Sequence, residues 1–553
     1  MLRNLRRAGL VVLALIALAL VGLFVYARFV LGAVVNVPVS SLLADRFPAL
    51  FAPTQKDVAE LAASVQLPPG LRMTVFARGL SDARMLRTTR SGELLLAAPG
   101  KGAIWLLQAD HNNDGAADGV RLLMQGLDGP NGLDFHDGFL YVAEEGRVGR
   151  IGFDHVRGRV TGTYQVVIDN LPRGGNHWKK TIRFGPDGML YLAIGSSCNA
   201  CIETDDRRAA MWRYAPDGTG GTRIATGLRN SAGFDWRPSD GALFATDNGR
   251  DLLGDDFPAC ELNQLQPGGF YGWPFVNSSL HGGKGIPDPD MGAGHAAEIA
   301  KAQPPAFNFG AHNAPIGILF PTRNALPAVF RNSALVALHG SWNRSKKDGY
   351  KVVSLHWGAD GSVQARDFVT GFLVDDKVRG RPAELAEGLD GAIYVSDDMQ
   401  GAVYRIAASA TGGSAAAAVP PEPDAAMLAL VIAAQQREGA PTVAPTLSTS
   451  AEADAGPAQV SASTPVATAF TSEQLREQGA KLFSGSGCLE CHIAPGGAAP
   501  AAGPAKVALK LLRARYDVQT LQAYLERPRP PMPPVMVPSE RAALATWLLE
   551  AAP

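Results

Sequence analysis

A chain of 553 residues is too long for a single hydrophobic core and predicts two or more domains. A formal net charge of −1 excludes the basic footprint of a nucleic-acid binder. With 61 Gly and 39 Pro and only 19% charged residues, the composition predicts a turn-rich fold.

The chain opens with Arg3, Arg6 and Arg7, followed by an uninterrupted apolar run from about Leu10 to Ala27. A basic-then-apolar N-terminus is an export signal. The run approaches the roughly 20 residues needed to span a bilayer, and Ala27-Arg28-Phe29 is a poor cleavage site. Residues 1–36 are therefore read as an uncleaved transmembrane signal anchor, N-terminus inside. A cleaved signal is the alternative, and either one exports the bulk of the protein. Residues 37–69 read as a connector.

Six times, a turn signal precedes a short apolar strand and a polar cluster. The copies start at Ser91-Gly92, Asp137-Gly138, Asp187-Gly188, Asp240-Gly241, Asn332-Ser333 and Asp390-Gly391. Asp-Gly supplies a tight turn, and the runs that follow have the length and aromatic content of buried strands. Self-similarity at about 50-residue spacing predicts a six-bladed β-propeller over 70–407, with one copy per blade. A β-sandwich with similar hairpins is the competing fold. The long gap from about Arg250 to Arg331 predicts a large insertion on one face.

Equivalent strands of a propeller run the same way, so the residues just after each run gather at one channel mouth. These are Glu144-Glu145, Ser196-Ser197, Asp247-Asn248, His339-Gly340 and Asp397-Asp398. Such a mouth is a common ligand site, although a polar ring also suits a solvated rim. Asp110-x-Asn112-x-Asp114-Gly115-x-x-Asp118 begins like an EF-hand loop, but Arg121 stands where the bidentate Glu belongs. It reads as a turn first and a metal site second.

The chain has five cysteines, and Cys488-Leu489-Glu490-Cys491-His492 is the attachment motif of c-type haem. Cys488 and Cys491 would form the thioethers and His492 the proximal iron ligand. A zinc site would need further Cys or His nearby, and residues 493–553 contain neither. Cys198, Cys201 and Cys260 remain, which in an oxidising compartment allows one disulfide and one free thiol. Cys198 with Cys201, or Cys201 with Cys260, are the open pairings.

Residues 408–470 turn to Ala, Pro, Ser and Thr, a composition that reads as a linker. Residues 471–553 read as a small all-α domain, its first helix capped by Ser472 and its last beginning near Ser539. This helix pair resembles small class I cytochromes c. In that pattern Met532 is the second axial iron ligand, with Met536 as the fallback, and a His/Met pair raises the haem potential.

Several spaced motifs within 70–407 resemble the soluble, pyrroloquinoline-quinone (PQQ)-dependent sugar dehydrogenases. They are Gly175-Asn176-His177, Gly227-Leu228-Arg229-Asn230, and Asp247-Asn248-Gly249-Arg250-Asp251 with Asp255-Asp256. Glu261-Leu262-Asn263, Tyr271-Gly272-Trp273-Pro274 and His339-Gly340-Ser341-Trp342-Asn343-Arg344 follow in the same order. The sorbosone-dehydrogenase-like branch, some members of which carry a fused cytochrome, is the nearest resemblance.

That resemblance implies a six-bladed propeller and two-electron oxidation of a hydroxyl or aldehyde hydrate, with hydride passing to the quinone. It makes His177 the general base and pairs Arg229 with Asn230 as the cofactor-polarising couple. Arg344, Lys351, Arg379 and Arg381 are candidates for the cofactor's carboxylates, Arg381 foremost. A Ca²⁺ ion is implied on the backbone carbonyls of Gly249 and Arg250, where Arg250 departs from the Pro of glucose-oxidising members. Asp255 and Asp256 are further oxygen candidates.

Together these expectations describe a periplasmic quinohaemoprotein with PQQ, Ca²⁺ and haem c. It would act on a sugar, polyol or aldehyde, hand electrons to a downstream acceptor, and sit on the membrane through its N-terminal anchor. A Ca²⁺-dependent lactonase propeller and a non-catalytic docking propeller, each carrying the cytochrome, are the alternatives.

Overall fold

The computed structural model describes residues 55–409, except 284 and 324, with short pieces at 421–423, 426–427, 429, 446–447, 492–493, 507–508, 521–522 and 544–549. The chain divides into two compact units, Met1–Ser450 and Ala451–Pro553.

The first unit is a six-bladed β-propeller with four antiparallel strands per blade, to which Thr446–Leu447 adds an antiparallel edge in blade 1 and Gly269–Phe270 a parallel edge in blade 3. The inner strands of blades 1 to 6 are Leu86–Thr88, Gly132–His136, Lys180–Phe184, Phe234–Trp236, Pro315–Leu319 and Pro382–Glu387. Each turn-strand copy forms the second strand of its blade: Leu94–Ala98, Phe139–Ala143, Leu190–Ile194, Leu243–Asp247, Ala334–Leu338 and Ile393–Asp397. Five of these are buried along their whole length. Burial on both faces explains why they read as continuous apolar runs without alternation.

The ring closes by joining the propeller's two chain ends. Strand β1 (Leu71–Ala77) is the outer strand of blade 6, antiparallel to Ala402–Ala408. Apolar clusters fill the spaces between blades, such as Leu95, Leu106, Leu133 and Val142 between blades 1 and 2. Truncating one of these leucines to Ala costs about 2–5 kcal/mol through lost burial and the cavity left behind.

Charged residues on the inner strands staple neighbouring blades. Asp134 of blade 2 accepts the Phe184 N–H of blade 3 at 2.6 Å. Asp235 of blade 4 accepts the Phe320 N–H beside blade 5 at 2.9 Å and pairs with Arg183 of blade 3 at 2.8 Å.

The expected insertion is smaller than the sequence gap. Ala259–Gln264 and Phe307–Ala311 complete blade 4, and Pro315–Leu319 opens blade 5. Only 265–306 is inserted, carrying the Val276–Asn277/Ile286–Pro287 hairpin and the helix Ala296–Lys301. The outer strands lack the Asp-Gly signature and so hid within the gap.

The Asp110–Asp118 segment is a turn. Asp110 accepts the N–H groups of Asp114 and Gly115, Asp114 accepts that of Ala116, and Asp118 meets His111 at 2.8 Å. Arg121 donates instead to the Gly158 carbonyl.

The start of the Ala/Pro/Ser/Thr stretch lies against the propeller. Arg78 donates its N–H to Pro421 O at 3.1 Å and pairs with Glu422 at 3.0 Å, while Met427 packs on the core shared by blades 6 and 1.

Cys488, Cys491 and Met532 lie outside the described residues, as does 1–36. His492 is described only as backbone, in a two-residue strand paired with Val507–Ala508. Residues 544–549 are helical, with Leu544 and Leu548 buried. Among the described residues no helix is long and apolar enough to cross a membrane.

Candidate active site

The loops entering blades 3 and 4 carry the chemistry, and backbone hydrogen bonds fix both. Asn176 and His177 donate their N–H groups to Ser197 O and Ser196 O at 2.9 and 3.2 Å. Gly195 makes this approach possible, because a Cβ there would lie 2.5 Å from that of His177. At the next loop the buried Asp247 carboxylate accepts the N–H groups of Arg229 and Asn230, at 2.9 and 2.5 Å. Burial, reinforced by Glu261, pushes Asp247 up to about 8.

Through these loops His177, Arg229, Asn230 and Gly249 come together at one end of the channel, around a cavity of about 290 Å³. Trp178, Lys179, Arg84, His339 and Trp342 share its lining. The end of the channel matches the one the repeat predicts, since Asn248 and His339 follow second strands.

His177 has a defined tautomer. Nδ1 lies 3.1 Å from the Ser196 backbone carbonyl, which can only accept, so Nδ1 carries the proton, and Ser196 Oγ, which donates to Cys198 O at 2.7 Å, lies 2.8 Å from the same nitrogen. Nε2 is left as the acceptor nitrogen. Burial, then the Arg229 charge, lowers the imidazole to about 3, so it is neutral at physiological pH. A neutral imidazole with one nitrogen committed to proton donation can take a proton on the other.

All five N–H groups of Arg229 are spent on protein acceptors. Nε donates to Asn199 O at 3.0 Å, and Nη1 to Asn248 O and Gly249 O at 3.1 and 2.9 Å. Nη2 reaches Asn199 Oδ1 and Asp251 Oδ2, both at 2.9 Å. Asn199 stands inside a four-residue ring closed by the Cys198–Cys201 disulfide. Of the two open pairings the structure takes this one, leaving Cys260 as a buried free thiol in the cavity wall.

Lys179 contrasts with Arg229. Its ammonium sits 4.4 Å from the Trp178 ring centroid and has no hydrogen bond or ion pair among the described residues. Burial lowers it to about 8. Nearby, Arg84 Nη1 meets Asp398 at 2.6 Å and His339 Nε2 at 3.1 Å, while Arg381 Nε pairs with Asp398 at 2.8 Å.

Three expected cations lie elsewhere. Lys351 opens the third strand of blade 5 and pairs across it with Asp367 at 2.7 Å. Arg344 pairs with Asp256 at 3.1 Å and donates to the Asp255 backbone carbonyl, while Asp255 Oδ1 accepts the Ser345 N–H at 3.0 Å. Arg379 donates to Ser64 at 2.9 Å. None of the three lines the cavity, and neither does Arg381, the foremost of the expected cations. Their place in the sequence put them near the mouth, but local partners hold the side chains elsewhere. Arg250 likewise points outward, with Nη1 on both oxygens of Asp288 at 2.7 and 2.8 Å and Nη2 on Asp290 at 2.9 Å.

Sequence reasoning missed Lys179 and Arg84. The available signal was position, since each stands just before an inner strand, in the loop class that carries His177 and Arg229.

The TrAA12-like family model matches residues 65–269 and 291–409, together more than half of the chain. An uncharacterized protein of Borreliella burgdorferi is 25% identical over 362 residues, 63% of this chain and 92% of its own length. The calcium structure of Trichoderma reesei Carbohydrate-Active Enzymes Family AA12 superposes with a TM-score of 0.54 at 20% identity. It covers 62% of this chain and 97% of its own. The holo form of the pyranose dehydrogenase PQQ domain from Coprinopsis cinerea gives the same score, identity and coverage. At this identity the two superpositions show a shared fold, and the family-model match shows that the chain belongs to the TrAA12-like family.

Proposed function

We propose that the protein is a PQQ-dependent dehydrogenase of a sugar-like alcohol or aldehyde, exported and carrying a haem c domain for electron exit. The observation that carries this reading is the His177–Arg229–Asn230 corner at the channel mouth of a TrAA12-like propeller. Of the two similar folds, one is a calcium structure and the other a PQQ domain. The Cys488-x-x-Cys491-His492 motif supports the haem.

The cavity fits a polyanionic quinone. Lys179 offers a half-buried ammonium without an ion pair, and the buried Ser231 Oγ and Asn248 Oδ1 in the wall lack partners among the described residues. A calcium ion fits beside them. Gly249 O has a second lone pair beyond the one Arg229 uses, Asn248 Oδ1 is free, and the Arg250 charge is neutralised by Asp288. Lys179 and Arg84 would hold cofactor carboxylates, with Arg381 acting behind them through Asp398.

A bound PQQ would supply the two-electron acceptor that the side chains lack. His177 Nε2 would take the proton of the substrate hydroxyl while the carbon bearing that hydroxyl gives up the hydride. Arg229 would present a fixed guanidinium to the negative charge that develops, its saturated hydrogen bonds holding it still. Trp178 and Trp342 line the cavity. Haem c on Cys488, Cys491 and His492, with Met532 opposite, would carry electrons onward, and the N-terminal segment would anchor the protein on the periplasmic face.

The test uses full-length protein with matured haem, made without PQQ. Reduction of the haem band that requires PQQ, Ca²⁺ and one class of aldose, polyol or aldehyde, and that His177→Ala abolishes, supports the reading. Failure of PQQ to bind or to change the haem spectrum with any substrate overturns it.

A further inference from the structure

One small ring touches both catalytic candidates. Cys198, Asn199, Ala200 and Cys201 lie immediately after the second strand of blade 3, closed on themselves by the disulfide. Cys198 O accepts the Ser196 hydroxyl, whose oxygen lies 2.8 Å from His177 Nδ1, beside the Ser196 carbonyl at 3.1 Å. Asn199 does more. Its backbone carbonyl accepts Arg229 Nε at 3.0 Å and Trp273 Nε1 at 3.1 Å. Its side-chain oxygen accepts Arg229 Nη2 and the Asp251 N–H at 2.9 and 2.8 Å, and its amide donates to Asp251 O at 3.0 Å.

Two of the five Arg229 bonds, and the backbone of its counter-ion Asp251, therefore depend on one residue. A four-residue loop without a strand or helix of its own has many conformations, and a covalent closure removes most of them. The ring is half-buried, so a small dithiol can reach it.

We infer that the Cys198–Cys201 ring is a positioning device for the active site, with Asn199 as its positioning residue for Arg229. The kinetic part rests on the dehydrogenase reading, whereas the titration of His177 beside Arg229 does not. Opening the ring exchanges the disulfide for two thiols, with a dithiol such as dithiothreitol oxidised in return. The released loop then no longer holds the Arg229 fork or the Ser196 hydroxyl in one arrangement.

The test compares full-length wild type, Asn199→Ala, the Cys198→Ser/Cys201→Ser double variant, and wild type reduced with dithiothreitol. The first readout is the side-chain ¹⁵N spectrum of His177, identified through His177→Gln, between about pH 5 and 8. Wild type is expected to show one neutral tautomer with the proton on Nδ1. The altered proteins are expected to show an imidazole that titrates within this window, because the Arg229 charge that helps to hold it neutral is no longer fixed beside it. The second readout is kinetic: kcat is expected to fall about 10²-fold, the size of effect that misplacing a reacting group produces. KM should change little.

Folded variants that keep a His177 without titration in this window, and the wild-type kcat, would overturn the inference and reduce the disulfide to a staple. If the double variant does not fold, Asn199→Ala and the reduced wild type decide between the same two results. A change in His177 titration in a protein that oxidises no substrate would sustain the positioning role while sinking the dehydrogenase reading.

Discussion

Arg229 and Lys179 are two cations on one cavity wall built on opposite terms. Arg229 is 3% exposed and gives every N–H to a protein acceptor, so the protein alone holds its geometry. Lys179 rests on an indole face with no anion of its own. A saturated guanidinium is preorganised and costs nothing to aim when charge develops. An unpaired, half-buried ammonium is held at a cost in desolvation that an incoming carboxylate repays. The first arrangement suits an electrostatic role in a reaction, and the second suits binding.

The largest expected effect tests the neighbour that Arg229 serves. His177→Ala should lower kcat by about 10²–10⁴-fold, the contribution of a positioned general base, while PQQ binding measured by tryptophan fluorescence stays near wild type. The pH profile sharpens this. The folded value of about 3 lies below the ordinary 6.5, so the acid limb of kcat/KM should fall well below pH 6. The unfolded chain binds more protons between those values. Stability from the neutral imidazole is thus complete above about 6.5 and is lost as pH falls toward 3. An acid limb near 6.5 would contradict the neutral, buried His177.

Next in size is a crossover between the two cations. Arg229→Ala leaves Asp251 and several carbonyls without their donor, and should cost about 3 kcal/mol in urea unfolding. Lys179→Met removes a charge with no protein partner and should leave stability unchanged or slightly raised. It should weaken PQQ by about tenfold or more, the worth of one charge-assisted hydrogen bond. Equal stability losses in the two variants would break the comparison. The smallest effect is a deliberate blank: Lys351→Ala removes only an exposed pair with Asp367. PQQ affinity should not change, and unfolding should shift by less than about 1 kcal/mol.

Much of the fold was legible because it repeats. Second strands buried on both faces must be short and apolar, and the Asp-Gly turn before most of them marks each blade. The outer strands carry no such mark, so the end of blade 4 was mistaken for insertion. His177, Arg229 and Asn230 were named through motif resemblance, and the fold brings them to one cavity. Arg344 and Arg379 were named by nearness in the chain, and Lys351 by resemblance as well, but neither fixes the direction of a side chain: Lys351 lies on a strand, where a one-residue step reverses the face. Arg250 shows the same limit, since it follows Gly249 in sequence yet turns to Asp288, 38 residues on.

Local sequence by itself determined six blades, the turn at Asp110–Asp118 and the Cys-x-x-Cys-His motif, because each depends on residues within a few positions of one another. Tertiary structure alone decided which cation stays unpaired and which nitrogen of His177 is free. Those outcomes rest on partners brought together from separate loops and blades, and no local pattern encodes a contact between them.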